Sequence, residues 1–189
     1  MKDLPAPIQL KPPISRQDIA NLNAGDIILL TGTIYTARDA AHLRLKEAFE
    51  GGKELPFDPK DAILFYAGPC PAKPGRIIGS IAPTTSIRMD VFAETTLKMG
   101  IIAMIGKGER SGFIAELCKK YGAIYLLATG GAAALISEQV KACTEVTYPD
   151  LGTESIKRLE VENLRLIVGI DTRGKVFQTE QISLYKKNK

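Results

Sequence analysis

The sequence predicts an α/β domain whose central sheet is partly parallel. Short continuous apolar runs recur at 27–30, 62–66, 101–105 and 123–128, and stretches with apolar residues at helical spacing lie between them. A strand, turn and strand pattern around Thr172-Arg173-Gly174 closes the chain. Strands that alternate with helices favour parallel pairing, because two parallel strands need a crossover long enough to hold a helix.

Taken in order, the first 25 residues mix apolar groups with prolines and reach the turn signal Asn23-Ala24-Gly25-Asp26, which places a buried strand at Ile27-Ile28-Leu29-Leu30. Thr31-Gly32-Thr33-Ile34-Tyr35 reads as the passage into a helix that begins at Thr36 and stops at Gly51-Gly52. AILFY (62–66) is the next strand, followed by the loop GPCPAKPG and a further strand at 76–81. A helix from about Ser86 to Met99, a strand at 101–105 and a helix from about Ser111 to Tyr121 come next. A strand at 123–128, an alanine-rich helix after Gly130-Gly131 and a strand opening at Cys143 follow. Residues 164–171 and 175–177 read as strand, turn and strand. The antiparallel elements at the two ends are expected to form or extend a second sheet. The 189 residues make one domain, with 177–189 a frayed tail.

Composition narrows the function. Hydrophobic residues make up 45% of the chain, enough for a core, while the net charge of +4 is mild basicity rather than a polybasic field, so nucleic acid is not required. The terminal Lys186-Lys187-Asn188-Lys189 reads as a solvated tail. The N-terminus lacks an apolar signal region, and no segment approaches the roughly 18 apolar residues of a membrane span. The expectation is a soluble cytoplasmic protein with neither nucleic acid nor membrane as partner. Cys70, Cys118 and Cys143 are widely separated, odd in number and form no CxxC pair, which argues against a disulfide framework or a zinc site.

Three junctions after strands each place a cation at or just before a helix. That position disfavours cations by roughly 0.3–1 kcal/mol, a cost that an anionic ligand would offset. At the first, Thr36 is the expected N-cap with Asp39 three residues on as in a capping box, Arg38 sits in the first turn, and His42 follows four residues later on the same face. His42 is the single histidine of the chain, hence the natural candidate for acid/base work near neutral pH, beside the plainer reading of a surface or core histidine. At the second, Thr84, Thr85 and Ser86 precede a helix with Arg88 in its opening turn, three hydroxyls where capping needs one. At the third, Gly106-Lys107-Gly108 lets the backbone approach a ligand with an ammonium beside it, without the spacing of a Walker A loop. Loops at the carboxyl ends of parallel strands converge on one crevice, so Arg38, Arg88 and Lys107 are expected to face one ligand. A dicarboxylate suits two arginine forks and a lysine; phosphate would satisfy them too.

The segments TGTIYTARDAAHLRL (31–45), YAGP (66–69), APTTSIRMD (82–90), IGKG (105–108) and DLGTESIKRLEVENLRLIVGIDTRG (150–174) resemble the β subunit of class I fumarases and L-tartrate dehydratases, which is the C-terminal domain of single-chain fumarases. The likeness runs from about Ile8 to Phe177. It implies a swivelling β/β/α three-layer fold and reversible addition of water to a dicarboxylate double bond. It further implies a [4Fe–4S] cluster held by the cysteines of a separate α subunit, so that this chain is inactive alone and works in a heteromer such as (αβ)2. Carried over by motif, Arg38, Arg88 and Lys107, with Thr85 beside them, bind substrate carboxylates. Thr84 is then the candidate base for the proton on carbon, and His42 the active-site histidine.

Fumarate hydration to L-malate is the favoured reaction, with L-tartrate dehydratase or mesaconate hydratase as alternatives, since the substrates differ by one hydroxyl or one methyl. Two other readings stand beside these. In one, loop Cys70, helical Cys118 and strand Cys143 converge to hold a cluster within this chain. In the other, the crevice belongs to a non-catalytic dicarboxylate-binding or anion-binding scaffold.

Overall fold

The computed structural model describes residues 6–186 of the chain, so the first five residues and the last three residues of the lysine-rich tail lie outside it. The elements run β1 (Ile8–Leu10), α1 (Arg16–Ala20), β2 (Ile27–Thr36), α2 (Asp39–Glu50), β3 (Ile63–Phe65), α3 (Asp90–Met99) and β4 (Ala103–Gly106). They continue with α4 (Phe113–Tyr121), β5 (Ile124–Leu127), α5 (Ala133–Gln139), β6 (Val140–Thr147), β7 (Ile156–Ile170) and α6 (Phe177–Tyr185). A 3₁₀ segment at Ser86–Met89 leads into α3, and 3₁₀ turns over Pro149–Glu154, broken by a kink at Gly152, lead into β7.

All seven strands belong to one mixed sheet in the order β1-β2-β3-β4-β5-β7-β6. Pairings from β1 through β5 are parallel, and β7 runs antiparallel to β2, β5 and β6. Because β7 pairs with both β2 and β5, the strands β2, β3, β4, β5 and β7 join in a ring, which leaves no open edge between them.

The ring separates two apolar faces by strand alternation. Residues such as Ile28, Ile34, Ile63, Phe65, Ile105, Leu126, Leu164 and Val168 pack together on one side. Leu64, Tyr66, Met104 and Tyr125 point to the other, where Ala41, Leu45, Ala93, Leu97, Ile114 and Cys118 from α2, α3 and α4 cover them. This explains why β3, β4 and β5 read as continuous apolar runs: both faces of these strands are buried.

Several expectations are corrected. There is one sheet rather than two, since β1 pairs parallel to β2 and β7 pairs along nearly the whole of β2. The segment Thr31–Tyr35 is strand, not a passage to a helix, with an irregularity in register between Leu30 and Gly32. Gly32 has φ 141°, and a Cβ there would lie 2.9 Å from the Pro12 ring, so the position requires glycine. Residues 76–81 form no strand; hydrogen bonds from Gly79 N to Cys70 O and from Cys70 N to Ser80 O hold them against the preceding loop. Beyond Arg173 a single bridge between Ile170 and Val176 replaces the expected strand pair, and 177–185 is helix α6 rather than the start of a tail.

Candidate functional site

β2, β3, β4 and β5 are parallel, so their carboxyl ends, Thr36, Phe65, Gly106 and Leu127, open on the same side. Backbone hydrogen bonds stitch the emerging loops together: Ala37 N to Phe65 O, Tyr66 N to Ile105 O, Thr84 N to Tyr66 O and Ala128 N to Gly106 O. Arg38, Thr84, Arg88 and Lys107 all leave from this rim.

Arg38 is the N-cap of α2 and makes no side-chain cap. Nor does Thr36 cap the helix: it ends β2, fully buried, where its hydroxyl accepts from Lys157 N (3.0 Å) and lies 3.5 Å from Ser155 O. Glu154 does the capping from 114 residues away. Its Oε2 accepts from Ala40 N (3.2 Å) while Oε1 pairs with Arg38 Nη2 (3.2 Å). The carboxylate thus answers both the helix N-terminus and the arginine beside it. Gly68 of the YAGP segment explains itself here, since a Cβ would lie 2.4 Å from Thr153 O and 3.3 Å from Arg38 Cδ.

Arg88 stands in the 3₁₀ turn ahead of α3, about half exposed. Its Nη2 donates to Thr84 Oγ1 at 2.6 Å and to Asp39 Oδ2 at 3.1 Å, and Arg38 Nη2 is 3.9 Å from that same carboxylate oxygen. The two arginines therefore converge on one carboxylate.

None of the three hydroxyls caps a helix. Thr85 is the N-cap of the 3₁₀ turn without a side-chain bond, is exposed, and bridges Lys107 through the backbone. Ser86, fully buried, accepts from Lys107 N (2.8 Å). Lys107 follows β4 directly but precedes α4 by six residues, so the helix-start argument does not apply to it. The fold brings it to the rim through the pairing with Thr85.

His42 lies beneath this rim, 1% exposed, with its ring against Tyr66 (5.2 Å, edge-on) and Phe92 (5.6 Å). Its Nδ1 donates to the Arg38 carbonyl at 2.9 Å, which sets the tautomer, and its Nε2 is buried without a partner. Burial lowers its pKa to about 4, against the smaller raising effects of the Arg38 carbonyl and Asp39. The ring is therefore neutral near pH 7, held under the Arg38 backbone with Nε2 left open to a partner.

Beside it lies a pair that sequence reasoning missed. Arg110, its side chain 1% exposed, donates from Nε to Asp90 Oδ1 (2.5 Å), and Asp90 Oδ2 accepts from Ser111 N (2.7 Å). The guanidinium carbon sits 5.3 Å from the Tyr66 ring centre and 4.8 Å from that of Tyr125. The only local trace was Asp90 in the first turn of a helix.

The cysteines do not fit an iron–sulfur cluster. Cys70 is exposed in a loop, Cys118 is buried on α4 with its pKa pushed up to about 12 by burial, and Cys143 is half-buried in β6. Cluster ligation needs thiolates gathered at one point. Among the described residues no three His, Cys, Asp or Glu side chains gather as a metal-binding group. Nor is any described helix long and apolar enough to cross a membrane.

Comparison with known proteins agrees with the motifs at this rim. Residues 2–181 match the family described as Fumarase C-terminus. The chain is 41% identical over 150 residues to the anaerobic class I fumarate hydratase of Escherichia coli (strain K12), covering 78% of this chain and 27% of that one. It is 38% identical over 181 residues to a putative L(+)-tartrate dehydratase subunit beta of Methanocaldococcus jannaschii, covering 92% and 93%. To the L(+)-tartrate dehydratase subunit beta of E. coli (strain K12) it is 34% identical over 185 residues, covering 95% and 90%. The chain thus spans about a quarter of the fumarase and nearly all of each tartrate dehydratase subunit.

Proposed function

This chain belongs to the Fumarase C-terminus family, and from that we propose that it is the β subunit of a hydro-lyase acting on a small dicarboxylate, reversibly hydrating fumarate to L-malate. The observation that carries the reading is the convergence of Arg38 and Arg88 on the Asp39 carboxylate with Thr84 bonded to Arg88. A constellation that gathers two guanidinium groups around a carboxylate of its own chain is suited to a carboxylate from solution.

In this proposal Arg38, Arg88 and Lys107 grip the carboxylates, with Thr85 at the rim. In the elimination direction Thr84, reacting as its alkoxide, takes the proton from carbon, the C–H electron pair forms the double bond and hydroxide leaves the adjacent carbon; hydration reverses the step, hydroxide adding as Thr84 returns the proton. The base is made competent by the Arg88 bond that favours its alkoxide. His42 enters as a positioning residue: its bond to the Arg38 carbonyl holds the backbone from which that guanidinium extends.

Because the cysteines here do not fit a cluster, the [4Fe–4S] group that the family resemblance implies is assigned to a partner α subunit. The proposal includes assembly as (αβ)2, a cytoplasmic location, and a single swivelling β/β/α domain. The ring of strands with helices α2, α3 and α4 on one face supports that last point.

L-tartrate dehydration is the second reading, and a specific observation favours it: both similar tartrate dehydratase subunits match over nine-tenths or more of their length. The test is anaerobic assembly with an α subunit encoded in the same genome, then a screen of fumarate, mesaconate and L-tartrate. Double-bond absorbance or keto-acid formation reports turnover. Turnover of one, abolished by Arg88→Ala, upholds the proposal; an intact complex that turns over none of them sinks it.

A further inference from the structure

Ser86 holds both backbone polar groups of one residue across the site. Lys107 N donates to Ser86 Oγ (2.8 Å), and Ser86 N donates to Lys107 O (3.3 Å). The same hydroxyl lies 3.0 Å from Tyr125 Oη, which is itself 3.2 Å from the Gly108 carbonyl.

Each hydroxyl has one proton, and a carbonyl can only accept. Tyr125 Oη has its one proton to share between Ser86 Oγ and Gly108 O, and Lys107 N donates to Ser86 Oγ. One serine and one tyrosine thus link the Lys107 amide to the next residue's carbonyl. Tyr125 is 1% exposed and burial pushes its pKa up to about 12, so it keeps its proton.

Gly106 is shaped for this arrangement. A Cβ there would lie 1.9 Å from Ser86 Oγ, so the first glycine of GKG makes room for the serine and need not be explained by a ligand. Behind Tyr125, the buried Arg110 guanidinium, tied to Asp90, backs the ring.

We propose that Ser86, backed by Tyr125, is a positioning residue that clamps the Lys107 backbone and so aims its ammonium at the anion site. The inference rests on the reading of Lys107 as a substrate-binding cation, and it adds the residues that make that lysine effective.

Two measurements test it. Amide hydrogen exchange on the full chain reads the clamp without reference to activity. Ser86→Ala is expected to speed exchange at Lys107 N by about tenfold or more, while the Met104 and Tyr125 amides stay protected. Tyr125→Phe, which keeps the ring, moves exchange in the same direction by a smaller factor and stands in should Ser86→Ala fold poorly. Unchanged protection at Lys107 in both variants overturns the clamp.

The second is a double-mutant cycle on the assembled enzyme. Ser86→Ala is expected to lower kcat/KM by about tenfold to a hundredfold, as misplacement of a binding group does. In a Lys107→Ala background it is expected to cost less than about twofold further. Equal losses in both backgrounds show that Ser86 acts on general packing and overturn the positioning role. If the complex turns over no dicarboxylate, the functional reading fails on its own account, and the exchange experiment alone decides whether the clamp stands.

Discussion

Arg88 donates from a single guanidinium nitrogen to the carboxylate of Asp39, 3.1 Å away and 49 residues earlier in the chain, and from the same nitrogen to Thr84 at 2.6 Å. Asp39 Oδ2 is also 3.9 Å from Arg38, so one acidic residue lies between two arginines. A lysine ammonium lacks the planar fork that meets a carboxylate in two parallel bonds. Arg88→Lys is expected to lower kcat/KM of the assembled enzyme by about a hundredfold or more. Because the Arg88–Asp39 pair is about half exposed, the same change should move unfolding free energy by less than about 1 kcal/mol. A large stability loss would show that Arg88 is a structural residue instead.

His42 makes stability depend on pH in a defined window. The unfolded chain takes up a proton near pH 6.5, while the folded protein, with the ring desolvated, takes it up near 4. Above about 6.5 the ring is neutral in both states and adds no dependence. As pH falls from about 6.5 toward 4 the unfolded state binds the extra proton, and stability should fall, by roughly 3 kcal/mol once pH is below 4. His42→Asn keeps a donor to the Arg38 carbonyl but does not titrate. Denaturant titrations at pH 7, 5 and 4 should show the wild-type advantage shrinking toward acid; an advantage that stays constant contradicts the burial argument.

The Asp90–Arg110 pair is more costly to break than to lack. With side chains 4% and 1% exposed, neither group can turn to water. Asp90→Asn strips the charge from a guanidinium's partner and weakens the acceptor for Ser111 N, at a cost of about 3–5 kcal/mol. Replacing both residues by apolar ones should cost less than the two single changes added together, as measured by chemical denaturation.

Thr36 offers a check on the sheet. Its hydroxyl accepts from Lys157 N at 3.0 Å and joins the end of β2 to β7. Thr36→Val keeps the shape and leaves that amide unpaired, with an expected loss of about 1–3 kcal/mol, while Thr36→Ser should retain most of the stability.

How far the site could be read beforehand depended on the range of its bonds. Arg38, Thr84, Arg88 and Lys107 announced themselves as cations and hydroxyls clustered at junctions. Their holders did not: Glu154 bonds Ala40 from 114 positions away, Tyr125 reaches Ser86 from 39, and Ser86 reaches Lys107 from 21. Local spacing carries no trace of such pairs. The N-cap failed for the same reason. Thr36 and Asp39 have capping-box spacing, but a tertiary hydrogen bond to Lys157 claimed the threonine and extended the strand to it. His42 carries its position relative to Arg38 in the helical spacing, but its burial against Tyr66 and Phe92 comes from elements distant in sequence.

Elements whose signals are local were legible in the chain. Buried strands appear as unbroken apolar runs, helices α2, α3 and α4 as periodic ones, and the places of Arg38 and Lys107 just after strands follow from chain order. Folding alone makes β7 close the strands into a ring, brings two arginines to the Asp39 carboxylate and sets a buried serine against Lys107. The physical reason is the same for each. Hydrogen bonds and desolvation act between whatever side chains the fold brings within about 3 Å.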